Sequence, residues 1–153
     1  MTSENANKIS MEKLLPIINE SIRDGGQFVF YPSGTSMLPT IIPGEDCVVL
    51  VQATNLKKYD LVLFSRVGGS HVLHRIMSMK NGQYIISGDN QTWTETITGE
   101  LIIAKVSEIR KKNGAILTLT HFSSFSKIMW LKAKKLKGNI LGKLRSYIGK
   151  KKK

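Results

Sequence analysis

Cysteine is nearly absent from this sequence, which contains only Cys47 among its 153 residues. One thiol cannot close an intrachain disulfide, so nothing indicates a disulfide-stabilised protein from an oxidising compartment. Cys47 begins the apolar run 47–51 and has no histidine or basic residue beside it. Reactive thiols usually lie beside such residues. We therefore interpret Cys47 as a buried structural residue.

Long apolar runs are also missing. No stretch approaches the roughly 20 uncharged apolar residues that are needed to span a bilayer. Residues 1–9 are polar and lack the apolar centre of a secretory signal. We therefore expect a cytoplasmic protein without a spanning anchor, and we expect neither a metal nor another cofactor.

Acidic residues are absent from the C-terminal segment. Residues 126–153 contain 11 Lys and Arg and no Asp or Glu, whereas residues 1–125 contain 12 basic and 11 acidic residues. The net charge of +12 therefore belongs almost entirely to a basic tail. Its apolar residues recur every three or four positions, which predicts an amphipathic helix that several glycines weaken. These residues are Met129, Ala133, Leu136, Ile140, Leu144 and Tyr147.

The basic tail predicts an acidic partner. A basic amphipathic helix can lie in the interface of an anionic membrane, and we expect this tail to bind one. The residues that we assign to membrane binding are Trp130, Lys132, Lys134, Lys135 and Lys137. Two alternatives stay open: the tail caps the core, or it binds nucleic acid nonspecifically through phosphate contacts. We rank nucleic acid below the membrane.

Apolar periodicity predicts a mainly β fold. Residues 10–23 have the spacing of a helix that packs on the core, and Gly25-Gly26 ends it. Seven short apolar segments then alternate with turns, which is typical of a compact folded sheet or β-barrel. These predicted strands are residues 27–31, 47–51, 61–64, 71–77, 84–86, 101–106 and 116–119. The domain prediction is an N-terminal helix over 1–25, a β domain over 26–125 and the tail over 126–153.

Four residues form a candidate catalytic set. Ser36 lies in the small-residue turn 33–40, and such a turn can present a hydroxyl to a cleft. A serine nucleophile needs a base, and histidine is the usual one. His74 lies on a predicted strand, and Asp89 and Glu95 follow as carboxylates that could orient its imidazole. Taken singly, each of these residues is more typical of an ordinary turn or core position than of a catalytic role.

Five segments, taken together, match one family in order and spacing. Residues 34–40, 43–46, 59–64, 74–76 and 88–90 read GTSMLPT, PGED, YDLVLF, HRI and GDN. Within about residues 28–107 they resemble the conserved segments of the type I signal peptidase and LexA-like serine peptidase superfamily. The resemblance implies a β catalytic domain with serine endopeptidase activity.

The resemblance also assigns roles. Ser36 takes the position of the nucleophile. His74-Arg75 stands where bacterial and LexA-type members have a Lys-Arg pair, and it is similar to the Ser-His variant of archaeal and endoplasmic-reticulum signal peptidases. In that variant an acidic residue after the Gly-Asp-Asn segment completes the site. This implies Glu95, although the variant has aspartate there, and Asp89 competes for the role.

The oxyanion hole and the substrate contacts follow from the same alignment. The family uses the backbone N–H of the nucleophile, Ser36, and here Gly34 or Thr35 would supply the second donor. Gly34 stands where the family often has a serine, and a missing donor costs about 3 kcal/mol of transition-state stabilisation. Met37 and Pro39 are assigned to substrate binding.

We therefore expect an endopeptidase that cleaves a leader or signal-like segment of a polypeptide, peripherally bound at the cytosolic face of the membrane. Lys57 and Lys58 are alternative bases, although consecutive lysines before an acidic residue are usually solvated. The alternative function is a non-catalytic membrane- or nucleic-acid-binding module on a peptidase-like scaffold. No helix-turn-helix pattern precedes the catalytic region, which disfavours a LexA-like repressor.

Overall fold

The computed structural model describes residues 10–118, which form one α-helix, two short 3-10 helices (Arg23–Gly25 and Gly99–Leu101) and one antiparallel sheet of eight strands. The helix α1 spans Met11–Ile22. The strands are β1 (Phe28–Phe30), β2 (Cys47–Gln52), β3 (Leu61–Ser65), β4 (His71–Lys80), β5 (Gln83–Ser87), β6 (Glu95–Thr98), β7 (Ile102–Arg110) and β8 (Ile116–Thr118). The predicted mainly β class is confirmed.

The strand order is β1-β2-β7-β3-β4-β5-β6, and β8 pairs with β7 beside this path. β1 and β6 are the two ends of the sheet, so it is folded but not closed. Register shifts interrupt β2 against β7, β3 against β7 and β4 against β5. Such irregularities bend a strand and increase its local twist, which lets one sheet curve around a core.

The central strand β3 is buried on both faces of the sheet. Its run Leu61-Val62-Leu63-Phe64 alternates between two apolar clusters, because successive side chains of a strand point to opposite faces. Leu61 and Leu63 pack with residues from α1, β2 and β7, whereas Val62 and Phe64 pack with residues from β4, β5 and β6. Fully burying each such side chain contributes about 1.5–3 kcal/mol.

Helix α1 closes the first cluster. Leu14, Ile18 and Ile22 share one face, and Ile18 and Ile22 are buried in the core. Ser10 is the N-cap residue. A Cβ at Gly26 would meet the Ser21 carbonyl oxygen at 1.9 Å, so only glycine fits where the chain leaves the helix. The predicted helix over 10–23 is therefore confirmed within one residue at each end.

The sequence predicts seven of the eight strands and misses β6. Its sequence Glu-Thr-Ile-Thr has one apolar residue, Ile97, and that side chain alone is buried. Two polar threonines and a glutamate hide the alternation that would signal a strand. The hairpin at Asn81-Gly82 is confirmed, since both residues have positive φ (51° and 72°), as a tight two-residue turn requires.

Residues 126–153 lie outside the described residues, so the predicted basic helix and its partners stay predictions, as does the domain boundary at residue 126. Leu119, the last residue of the predicted seventh strand, lies outside them too. Within residues 10–118, no helix is both long enough and apolar enough to cross a bilayer.

Candidate active site

The turn that carries Ser36 is held by a second turn from far along the chain. The Asn90 backbone N–H donates to the Ser36 carbonyl at 2.8 Å, and the Asn90 side-chain amide donates to the Thr35 carbonyl at 3.1 Å. A Cβ at Gly88 would lie 2.6 Å from the Ser36 carbonyl oxygen, so glycine is required for this approach. Gly34 has φ +99°, which favours glycine in the Ser36 turn itself. The 88–90 segment thus fixes the backbone of the predicted nucleophile.

His74 lies on β4 with only 1% of its surface exposed. Its Nδ1 is 3.2 Å from Glu95 Oε1. The ring also packs on Phe64 and Trp93, with centroids 6.0 and 6.3 Å away. Because Nδ1 faces a carboxylate, we assign the proton of the neutral ring to Nδ1. Nε2 then carries the lone pair that can accept a proton.

Ser36 and His74 line the same cleft, which has a volume of about 270 Å³. Nε2 of His74 is buried and has no hydrogen-bond partner among residues 10–118, so the Ser36 hydroxyl and the imidazole share the cleft without a direct bond. Catalytic hydrogen bonds often form only once substrate is bound. The polar lining is Ser33, Ser36, Arg66, His71, His74 and Gln91, and the apolar lining includes Met11, Phe30, Met37, Ile41, Leu63 and Leu73.

Burial favours a neutral imidazole at His74. Burial lowers its pKa, and the nearby Glu95 carboxylate raises it in opposition, with a lower net pKa as the result. Hydrogen bonds from Arg66 lower the pKa of Glu95. At neutral pH the pair is therefore an ionised carboxylate beside an uncharged base, which is the state that a general base needs.

Asp89 and Glu95 have different partners. Asp89 accepts hydrogen bonds from Arg75 Nε at 2.9 Å and Nη2 at 2.8 Å, and from the Thr40 hydroxyl at 2.5 Å. Arg75 is fully buried. Of the two carboxylates that compete for the third catalytic position, Glu95 contacts the imidazole and Asp89 is bound to Arg75.

The remaining predicted residues divide between the cleft and the surface. Met37 lines the cleft but is 3% exposed and belongs to the core cluster of α1, so it can form only the wall of a substrate site. Gly34 also lines the cleft. Thr35 and Pro39 are exposed and are not part of the cleft lining. The Leu38–Pro39 peptide bond is cis.

The alternative bases lie elsewhere. Neither Lys57 nor Lys58 lines the cleft, and the Lys58 ammonium lies 4.9 Å from the centre of the Tyr59 ring. Cys47 is buried, as predicted. Among residues 10–118, no group of three or more His, Cys, Asp or Glu side chains could hold a metal ion.

Two residues near His74 were missed by sequence reasoning. Arg66 forms a bidentate salt bridge with Glu95, and its guanidinium lies 5.6 Å from the centre of the Trp93 ring. Arg66 lies in the turn after β3, 29 positions from Glu95, and only the fold brings them together. The sequence carries no local signal for this contact.

No protein-family model, curated protein or solved structure matches this chain. Its functional assignment therefore depends on the geometry within residues 10–118 and on the sequence motifs.

Proposed function

We propose that the protein is a serine endopeptidase in which Ser36 is the nucleophile, His74 the general base and Glu95 the residue that orients the base. The observation that carries this proposal is the shared cleft: Ser36 and His74 line it together, and the far side of the imidazole contacts a carboxylate. A nucleophile and a base at one cleft, with a carboxylate on the far side of the base, are the parts of a catalytic triad.

The proposed reaction proceeds through an acyl-enzyme. His74 Nε2 accepts the proton of the Ser36 hydroxyl as Oγ attacks the peptide carbonyl, and Glu95 stabilises the imidazolium that forms. The Ser36 backbone N–H has no acceptor within residues 10–118 and is available to donate to the oxyanion. The imidazolium then protonates the leaving amine. A water molecule, deprotonated by His74, then attacks the acyl carbonyl, and the imidazolium returns this proton to Ser36 Oγ as the ester bond breaks and the free acid leaves.

The proposed substrate is a polypeptide in extended conformation. β5 pairs with β4 only from Arg75 onward, so residues 71–74 have a partner strand, β3, on one side only within residues 10–118. All four of these residues line the cleft. An unpaired strand edge can bind an extended peptide through main-chain hydrogen bonds.

The cleft also suits an apolar substrate side chain. Most of its apolar lining belongs to, or packs against, the core cluster of α1, so the cleft reaches the hydrophobic interior. A side chain that enters it is removed from water, which favours apolar residues. An apolar leader or signal-like segment has this character.

Cleavage of a peptide library tests the proposal without knowledge of the substrate. Purified protein is incubated with peptides from a digested proteome, and new termini are identified by mass spectrometry. We expect wild-type protein to create new termini and the Ser36→Ala and His74→Ala variants to create none. Ser78→Ala is the matched control, because Ser78 lies on β4 but outside the cleft. Absence of cleavage by wild type, or equal cleavage by Ser36→Ala, would overturn the proposal.

We also propose that the basic tail binds an anionic membrane surface. The support is the charge distribution, since residues 126–153 hold 11 basic and no acidic residues. Each Lys or Arg near an anionic leaflet contributes about 1 kcal/mol. The full chain should sediment together with phosphatidylserine vesicles, whereas a variant without residues 126–153 should stay in the supernatant. Equal sedimentation of both, or tail-dependent binding to DNA alone, contradicts this proposal.

A further inference from the structure

Arg66 lies where the turn between β3 and β4 begins. Its backbone N–H donates to the Ser70 carbonyl at 2.8 Å, and its carbonyl accepts from the Gly69 N–H at 3.0 Å. Gly68 and Gly69 have φ +103° and +87°, values that favour glycine. The backbone of Arg66 is therefore held in one conformation, and its side chain extends from a fixed point beside the cleft.

The guanidinium holds both oxygens of Glu95. Nε donates to Oε2 and Nη2 donates to Oε1, each at 2.7 Å. Oε1 is the oxygen that faces His74 Nδ1 at 3.2 Å. Parallel bonds from a planar guanidinium fix the plane of a carboxylate, which a single ammonium cannot do. Trp93 lies against both partners, since its ring is near the Arg66 guanidinium and meets the imidazole edge-on.

A glutamate needs this support more than an aspartate does. Its side chain has one more rotatable bond, and holding a long side chain in one rotamer costs conformational entropy. Glu95 also lies on β6, the end strand of the sheet, where one side has no partner within residues 10–118. Without the clamp, the carboxylate can rotate away from Nδ1 while its backbone stays in place.

We infer that Arg66 is a positioning residue, which fixes the Glu95 carboxylate so that Oε1 holds the His74 imidazole in its Nδ1-protonated form. The inference of a catalytic benefit rests on the proposed peptidase function, whereas the positioning itself does not. Arg66 acts through Glu95, and its own guanidinium is not assigned to substrate.

The test measures the Nδ1 proton of His74 directly by NMR, on the full chain labelled with ¹⁵N histidine. His74→Gln identifies the signal. In wild type we expect a hydrogen-bonded Nδ1–H that exchanges slowly with water. In Arg66→Gln and Arg66→Lys we expect faster exchange and loss of the signal at neutral pH, with the backbone amide spectrum of the sheet retained. Arg110→Gln is the matched control, because Arg110 forms an exposed pair with Glu108 and does not contact the cleft.

Persistence of the Nδ1–H signal in Arg66→Lys and Arg66→Gln would overturn the positioning role, whether or not the protein cleaves peptides. Where cleavage is observed, kcat should fall about 10- to 100-fold, a part of the 10²–10⁴-fold that a general base supplies. KM should change less than threefold, because the guanidinium is bound to Glu95 and the inference assigns it no contact with substrate. An increase of KM at constant kcat would instead place Arg66 in substrate binding and contradict the inference.

Chemical rescue checks the bidentate geometry. Arg66 is partly exposed at the cleft, so a small cation can reach the space left in Arg66→Ala. Added guanidinium ion should restore the slow Nδ1 exchange, whereas ammonium at the same concentration should not. If guanidinium and ammonium had the same effect on Nδ1 exchange, the proposed bidentate contact would be refuted.

Discussion

Asp89→Asn separates a role in folding from a role in catalysis. Asp89 accepts two hydrogen bonds from Arg75, which is fully buried and also donates to the Tyr59 carbonyl at 2.8 Å. Asparagine has one carbonyl oxygen and no charge, so the guanidinium loses its counter-ion and at least one acceptor. Removing one partner of a buried ion pair destabilises a protein by about 3–5 kcal/mol.

Urea unfolding followed by circular dichroism measures this loss. With an m-value of about 1.5 kcal/mol/M, within the range for small domains, the midpoint should fall by about 2–3 M. The typical stability of a domain is about 5–15 kcal/mol, so a loss of about 3–5 kcal/mol should leave a folded population of Asp89→Asn in the absence of urea. Its rate of peptide cleavage per folded molecule should then stay within about tenfold of wild type.

Glu108→Gln is the matched control. The Arg110–Glu108 pair is exposed, with 43% and 31% of the two side chains accessible, and such pairs contribute about 0–1 kcal/mol. A midpoint for Asp89→Asn no lower than that of the control would refute the reasoning. So would a folded Asp89→Asn protein as inactive as Glu95→Gln, since the third catalytic role would then belong to Asp89.

Further predictions concern packing and pH. Gly88→Ala should lower the free energy of unfolding by about 1–3 kcal/mol and reduce cleavage, because its Cβ would clash with the Ser36 carbonyl. Gly99→Ala is the control and should do neither, because its Cβ would lie in ordinary contact, 3.5 Å from a carbon of the Tyr84 ring. Equal urea midpoints for the two variants would contradict this prediction. The acid limb of kcat/KM should have its midpoint below pH 6.5, because the net pKa of His74 is lowered by burial, and a midpoint near pH 8 or above would indicate another base. Burial raises the pKa of Asp46, but its hydrogen bonds lower it by more, so the net pKa lies below 3.8. The ionised Asp46 therefore stabilises the fold above pH 3.8, and this stabilisation is lost as pH falls through the lowered pKa. Asp46→Asn should reduce the slope of the free energy of unfolding against pH on the acid side, and an unchanged slope would contradict this prediction.

Local pattern was sufficient for the elements whose side chains are buried in a regular way. The run at β3 and the i, i+4 spacing of Leu14, Ile18 and Ile22 determine where their strand and helix lie. Strand β6 could not be found in this way, because only Ile97 is buried and its pairing with β5 is what makes it a strand. The strand that was missed is the one that carries Glu95.

The candidate site likewise contains residues that local sequence pattern can indicate and contacts that only the fold creates. The small-residue turn and the order of the motifs bring Ser36 and His74 to attention, and the fold places both at one cleft. The choice between Asp89 and Glu95 depends on which carboxylate faces Arg75 and which faces the imidazole, a matter of register between distant strands. The Arg66 contact with Glu95 has the same origin, so no local pattern could reveal it.

The contact between the 88–90 turn and the Ser36 carbonyl has a consequence for when the proposed site is assembled during synthesis. A chain made from its N-terminus has Ser36 long before it has Gly88, Asn90 or Glu95. The nucleophile's turn is braced, and the imidazole has its carboxylate, only after the hairpin of β4 and β5 has formed and the chain has turned back through β6. The proposed catalytic set is therefore incomplete in a nascent or partly folded chain, and we expect peptide cleavage to begin only once β6 has paired with β5.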